Sequence, residues 1–219
     1  MPIAGKGMLL TSMDVDPEHE ANFNRWYDRE HLEERVAMEG FVEARRYVAV
    51  EGAPKYLSLY STETFEVLDS PAYRRALANQ TVWSKENIAR FKNMIRGVAR
   101  ITISRGKGRG VVLGIVRFRP ARGKHQLRNA LREAFDPATH DGIISMHLIE
   151  NDPALSKPLT DNPSASAEAS DWFGLIDATD ATLARTAVRR LTNDAGFKSE
   201  VISSGVYRLL WDIAKTDIS

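Results

Sequence analysis

The feature that most constrains this chain is its approximate repetition. Gly7-Met8-Leu9-Leu10 is answered by Gly110-Val111-Val112-Leu113, and Pro17 by Pro120, 103 positions later. Gly40 is answered by Gly142, and Gly97-Val98 with Arg100 by Gly205-Val206 with Arg208. A chain that repeats its strand starts and turn residues at a near-constant offset repeats a supersecondary unit. Each unit must then hide its apolar face from water, against its twin or against another chain.

The first unit reads in order. Residues 8–13 form a buried strand. Asp16-Pro17-Glu18 starts a helix, with Asp16 able to cap, Pro17 suited to the first turn and Glu18 suited to the positive end of the dipole. That helix runs to about residue 37, and Gly40 is a plausible left-handed cap. Residues 42–50 are a second strand, followed by a turn at Glu51-Gly52-Ala53-Pro54. Tyr56-Leu57-Ser58-Leu59-Tyr60 alternates strictly, so a third strand has one aromatic and one aliphatic face. Residues 65–93 are helical in bulk, broken near Ser70-Pro71 and Asn79-Gln80-Thr81, and 97–103 form the fourth strand. The order is β-α-β-β-α-β, an α+β, ferredoxin-like arrangement with both helices on one face of an antiparallel sheet.

Residues 105–110 make a glycine-rich basic linker between a first repeat (1–104) and a second (111–219). In the second repeat a helix is expected over 125–135, strands over 143–150 and 172–177, a helix over 179–193 and a last strand over 206–211. Residues 151–170, rich in Pro, Ser, Asp and Asn, are an insertion read as an exposed loop. Two half-covered sheets face to face would form an α+β barrel, either within the chain or in a dimer. Removing the bare faces from water is worth ~25 cal/mol per Å².

Composition removes several functions. The 219 residues carry a formal net charge of +1, so no global field draws the protein to nucleic acid or a membrane. There is no cysteine, hence no disulfide, thiolate metal site or cysteine nucleophile. No apolar run reaches the ~20 residues of a membrane helix, and the first residues lack the apolar core of a signal peptide. A cytoplasmic location is expected. His19, His125, His140 and His147 show no metal spacing among themselves, and the linker glycines match no phosphate loop.

Chemistry concentrates in Trp26-Tyr27-Asp28-Arg29-Glu30-His31. Trp26 and Glu30, and Tyr27 and His31, are four apart, so each pair shares a helix face. An aromatic wall then stands beside an ionisable group. His31 suits proton transfer at neutral pH, its unperturbed pKa lying near 6.5; it is equally readable as a surface histidine favoured by a helix C-terminus. Trp26 and Tyr27 either contact a ligand or pack the core. Tyr56 and Tyr60 either line a pocket or sit half exposed on the sheet. Arg46, beside Tyr47, either holds an anionic substrate group or forms a strand-edge salt bridge. Trp83 reads as core.

These residues resemble a known pattern. Trp26-Tyr27-Asp28-x-Glu30-His31, Gly40-Phe41, Arg45-Arg46-Tyr47, Tyr56-Leu57-x-Leu59-Tyr60, Ser70-x-x-Tyr73, Trp83 and Arg96 resemble the EthD-like proteins of the dimeric α+β barrel superfamily. The resemblance covers roughly residues 7–104. It implies a small pocket between sheet and helices. It also implies a cofactor-free enzyme of cyclase, isomerase or decarboxylase type acting on a carbonyl, enol or aromatic polyketide-like substrate. His31 matches a histidine that serves as acid or base in some members. On that reading His31, Glu30 and Tyr60 are catalytic, while Trp26, Tyr27, Arg46, Tyr47, Tyr56 and Trp83 bind substrate. A small-molecule ligand, no metal and a homodimer are expected. Other members use haem or have no assigned activity, and a non-catalytic, stress-associated binding module is the competing reading. In the second repeat Trp26, Asp28 and His31 correspond to Asn129, Leu131 and Ala134, and only Glu30 is matched, by Glu133. At most one working site per chain is expected.

Overall fold

A computed structural model describes residues 3–120, 123–156, 169–194, 196–197 and 200–218. The first repeat contributes β1 (Gly7–Asp14), α1 (Pro17–Trp26), a π-helical turn (Tyr27–His31), α2 (Leu32–Ala37), β2 (Phe41–Glu51), β3 (Tyr56–Thr62), α3 (Pro71–Ala78), α4 (Val82–Ile88) and β4 (Lys92–Gly106). The second contributes β5 (Val112–Phe118), α5 (Lys124–Ala134), β6 (Ile143–Asn151), β7 (Trp172–Ala178), α6 (Ala181–Asn193) and β8 (Val201–Ala214). Much of the inserted 151–170 loop lies outside the described residues.

Eight strands close into one barrel in the order β1-β3-β2-β8-β5-β7-β6-β4. Each repeat supplies four neighbouring antiparallel strands, and the two sheets meet edge to edge. At one seam Arg46 pairs with Trp211; at the other Ile101 pairs with Ile149. The barrel therefore closes within one chain, by backbone pairing as well as by contact of apolar faces. Full closure removes the unpaired edges that a second copy would otherwise cover.

Alternation along the strands builds three cores. Met8, Leu10, Leu57, Leu59, Leu113, Ile149, Phe173 and Leu175 fill the barrel interior from both repeats. Leu9, Met13, Tyr56, Tyr60 and Val98 point outward to Phe23, Trp26, Tyr27, Leu32 and Val36 of the first helices. The aromatic face of β3 thus meets the helices, and its aliphatic face fills the barrel. In the second repeat the outward layer is Phe118, Leu127, Leu131, Phe135, Trp172 and Ile176.

Local signals are visible at the ends of elements. Pro17 opens α1, but the Asp16 side chain makes no cap bond and instead accepts from Lys92 Nζ at 2.7 Å. Ser70 and Thr81 cap α3 and α4 by accepting from Tyr73 N and Ser84 N. Gly40 and Gly142 both take positive φ, +79° and +70°, as a left-handed helix stop requires. β4 starts at Lys92, five residues before the expected 97, because Ile95 and Arg96, and Lys92 beyond a register shift, continue the pairing with β1.

One end of the barrel interior is polar and buried. Arg45 Nη1 of β2 donates to Asp177 Oδ1 of β7 at 3.0 Å through the barrel interior, and Gly110 N donates to the same oxygen at 3.0 Å. His147 sits between Ser104 and Ser145, its two ring nitrogens each 3.0 Å from a hydroxyl. This cluster ties the start of the second repeat to the first.

Candidate active site

The helix carrying His31 is not a straight α-helix. Over Tyr27–His31 it widens into a π-turn, and Leu32 N donates to Tyr27 O, five residues back. In an α-helix residues five apart diverge; in a π-turn they come into line. Trp26 and His31 accordingly stack, with ring centroids 4.2 Å apart and planes tilted by 31°. Tyr27 meets the same imidazole edge-on at 5.1 Å, and Tyr60 reaches it from β3 at 6.1 Å.

The imidazole lines a pocket between the outer face of β1, β3 and β4 and the helical layer. Its walls include Leu9, Thr11, Tyr27, His31, Arg35 and Tyr60, and its empty volume is about 480 Å³ counted to the open mouth. Most of the wall is apolar or aromatic, yet several polar atoms inside it have no protein partner. His31 Nδ1, Tyr60 Oη, Thr11 Oγ1, Gln80 Oε1 and Arg35 Nη1 are all buried without a hydrogen bond. Each such atom costs roughly 1–3 kcal/mol when buried unsatisfied. Their convergence on one hollow gives a bound polar ligand several groups to pair with.

Burial holds the His31 pKa well below its ordinary 6.5, helped by the charges of Arg35 and Arg46. The imidazole is therefore neutral at pH 7 and can accept a proton. Burial also lifts the Tyr60 pKa well above 10, with the nearby Tyr27 hydroxyl adding to the effect. Tyr60 therefore stays a hydroxyl donor.

The other expected site residues go elsewhere. Glu30 does not orient the imidazole. Its Oε1 accepts from Trp26 Nε1 at 3.2 Å, Thr81 Oγ1 at 2.6 Å and Ser84 Oγ at 3.2 Å. It clasps the π-turn to the start of α4, because three donors outcompete solvent for one half-buried carboxylate. Trp26 is fully buried in the helix–sheet core and reaches the pocket only by backing His31. Arg46 forms the salt bridge: Nη1 donates to Asp28 at 2.9 Å and Nη2 to Asn24, with the guanidinium 4.3 Å from the Tyr27 ring centroid. Arg46 and Tyr56 wall a separate outer cleft with Asp28 and Trp211, and the Tyr56 hydroxyl donates to Glu20. Tyr47 points the other way, into the barrel, under the Arg45 guanidinium at 5.3 Å. Trp83 is half buried against the first core and donates to Asn22 Oδ1 at 3.2 Å.

Among the pocket residues that escape the sequence reading are the polar Thr11, Gln80 and Arg35. Arg35 follows His31 by four positions, so the spacing rule that pairs Tyr27 with His31 also places Arg35 on the pocket face. In the second repeat the corresponding layer is filled with hydrocarbon. The Phe135 ring covers Gly174, where an added Cβ would lie 3.0 Å from Phe135 Cζ. Among the described residues, no three His, Cys, Asp or Glu side chains converge to hold a metal ion.

The chain is a ferredoxin-like α+β barrel protein, two repeats closed in one polypeptide. Its fold is similar to that of an anthrone oxidase-like protein, with a TM-score of 0.68, 10% identity and coverage of 99% of this chain and 96% of that one. It is also similar to a chlorite dismutase variant from Candidatus Nitrospira defluvii, with a TM-score of 0.54, 10% identity and coverage of 99% and 94%. At that identity the likeness establishes the fold alone. No family model and no curated protein matches the chain. No described helix is long and apolar enough to cross a membrane.

Proposed function

We propose that this protein is an EthD-like small-molecule enzyme that moves protons on a carbonyl, enol or aromatic polyketide-like substrate without a cofactor. The observation that carries the reading is the pair of buried, unpartnered groups facing one pocket: His31 Nδ1 and the Tyr60 hydroxyl. In the proposed step the neutral imidazole takes a proton from the carbon next to a carbonyl. Negative charge moves to the carbonyl oxygen, and Tyr60 donates a hydrogen bond to it. The reverse transfer from imidazolium returns the proton at a new position or to the same one. Trp26 and Tyr27 hold the ring in place, and Glu30 holds Trp26 in turn. The EthD assignment rests on the residue pattern of the first repeat, and assembly as a homodimer belongs to the same proposal.

Hydrogen–deuterium exchange at carbon tests it. Phenylpyruvate and benzoylacetone are incubated with protein in D2O and followed by proton NMR. The expected result is exchange faster than in buffer, falling by ~10²–10⁴-fold in His31→Ala. Exchange at the buffer rate with both compounds, or exchange indifferent to His31→Ala, overturns the reading. Saturable binding without exchange would favour the non-catalytic module.

A further inference from the structure

Two arginines line the pocket, Arg35 and Arg96, and the proton-transfer scheme uses neither; Arg96 is already engaged, donating to the Leu155 carbonyl at 2.5 Å. Arg35 is 4% exposed and stands one turn after His31 on the same helix face. Its Nη1 has no hydrogen-bond partner, and no carboxylate lies within ion-pair distance of the guanidinium among the described residues. Other buried arginines of this protein are paired: Arg45 with Asp177 and Arg46 with Asp28. A guanidinium taken out of water without an anion is costly, and buried charges are normally matched. The surrounding wall is Leu9, Tyr27, Tyr73, Leu77, Ile88 and Phe91, which suits a flat apolar body.

We infer that Arg35 is the anion-binding residue of this pocket and that the natural ligand is a small, flat aromatic acid whose carboxylate or acidic enolate oxygens pair with its guanidinium. The inference rests on reading the pocket as a ligand site. The anion brings the missing counter-charge, and its aromatic body displaces water from the apolar wall. The planar fork of the guanidinium matches two oxygens at once, which fixes the orientation of the bound acid relative to His31. Of the two readings of Arg46, anion holder or salt bridge, the second holds, because Asp28 already occupies it.

Benzoate and its uncharged isostere benzamide are the probes, titrated into the full-length protein and followed by proton–nitrogen NMR. The expected result is saturable binding of benzoate, about tenfold tighter than benzamide or better. The Arg35 Nε–Hε resonance should move with benzoate and stay still with benzamide, a readout that needs no variant. In Arg35→Gln the preference should fall to within roughly twofold, while Arg35→Lys, which keeps charge but not the fork, should retain part of it. Benzamide binding as tightly as benzoate, no saturable benzoate binding, an unmoved Arg35 resonance, or a preference that survives Arg35→Gln would each overturn the inference. None of these measurements requires turnover. Carbon exchange that depends on His31 but ignores Arg35→Gln would leave the proton-transfer reading intact and remove this one.

Discussion

Trp26 lies against His31 with 4.2 Å between ring centroids, although the two residues are five apart in sequence. Only the widened turn over Tyr27–His31 makes that contact, and it aims the imidazole at the hollow beneath α3 and α4. Helix irregularities of this kind are frequent at functional sites because the ligand-facing side chain, rather than the backbone ladder, sets the geometry. The same turn releases Glu30 to the opposite task of holding the helices together.

Tyr60→Phe separates function from stability. The Tyr60 hydroxyl is buried beside the Tyr27 and Ser58 hydroxyls without a well-formed hydrogen bond to either, so removing it deletes little that holds the fold. The variant should be as stable as the wild type or more stable by up to ~1 kcal/mol in urea unfolding. Carbon exchange should fall by about 10²–10³-fold, as expected for loss of a donor to a developing oxyanion. A clear loss of stability would show that the hydroxyl serves the fold.

Glu30→Ala should have the reverse signature. Its carboxylate accepts from Trp26, Thr81 and Ser84, and the variant leaves the buried Trp26 Nε1 and Ser84 hydroxyl sharing fewer acceptors. Stability should drop by roughly 1–3 kcal/mol, with Glu30→Gln costing less. Urea unfolding of the two variants checks this, and an unchanged midpoint for Glu30→Ala would contradict the clasp.

Asp177→Ala tests the polar end of the barrel. Asp177 is wholly buried and pairs with Arg45 of the other repeat through the barrel interior. Removing it strands a buried guanidinium, so a loss of about 3–5 kcal/mol is expected. Replacing both partners, Arg45→Met with Asp177→Ala, should recover much of that loss, since a dry pair is often no better than hydrocarbon.

Acid should unfold this protein earlier than carboxylates alone would predict. Burial presses the His147 pKa down to about 4, and the Arg45 charge adds to that, against the pull of Asp177. In the unfolded chain a histidine takes its proton near pH 6.5. Between those values the unfolded state binds more protons than the folded one, so stability falls as pH falls. His147 alone should withdraw roughly 3 kcal/mol between pH 6.5 and 4, at ~1.4 kcal/mol per unit. His31, also depressed, steepens the slope within the same window. Unfolding free energies from pH 7 to 4.5 should show it, and His147→Gln should flatten the slope by about one proton.

Much of the architecture is legible because it rests on periodicity. The doubled glycines and prolines announce two units, and Tyr56-Leu57-Ser58-Leu59-Tyr60 already separates the helix-facing from the barrel-facing side of β3. Whether the sheets close on each other or on a second chain is not legible, since both choices bury the same strands; the pairing of Arg46 with Trp211 decides it. His31 and Tyr60 are legible from residue type and spacing. The π-turn is not, because it arises from packing around Trp26 and leaves no mark in composition. The family resemblance puts Glu30 and Arg46 in the site, and their nearest donors and acceptors, Thr81 and Asp28, redirect them. Arg35 looks like one more surface cation of a helix until α3, α4 and the sheet enclose it.

The account stands on a neutral His31 imidazole enclosed by the pocket, and its titration in the intact protein tests this most directly. Nitrogen–proton correlation spectra of the histidine rings, with His31 assigned through His31→Gln, are recorded from pH 8 to 4.5. The predicted result is a midpoint well below 6.5 for His31. A His31 midpoint at or above 6.5 would mean a solvated imidazole and would contradict the account.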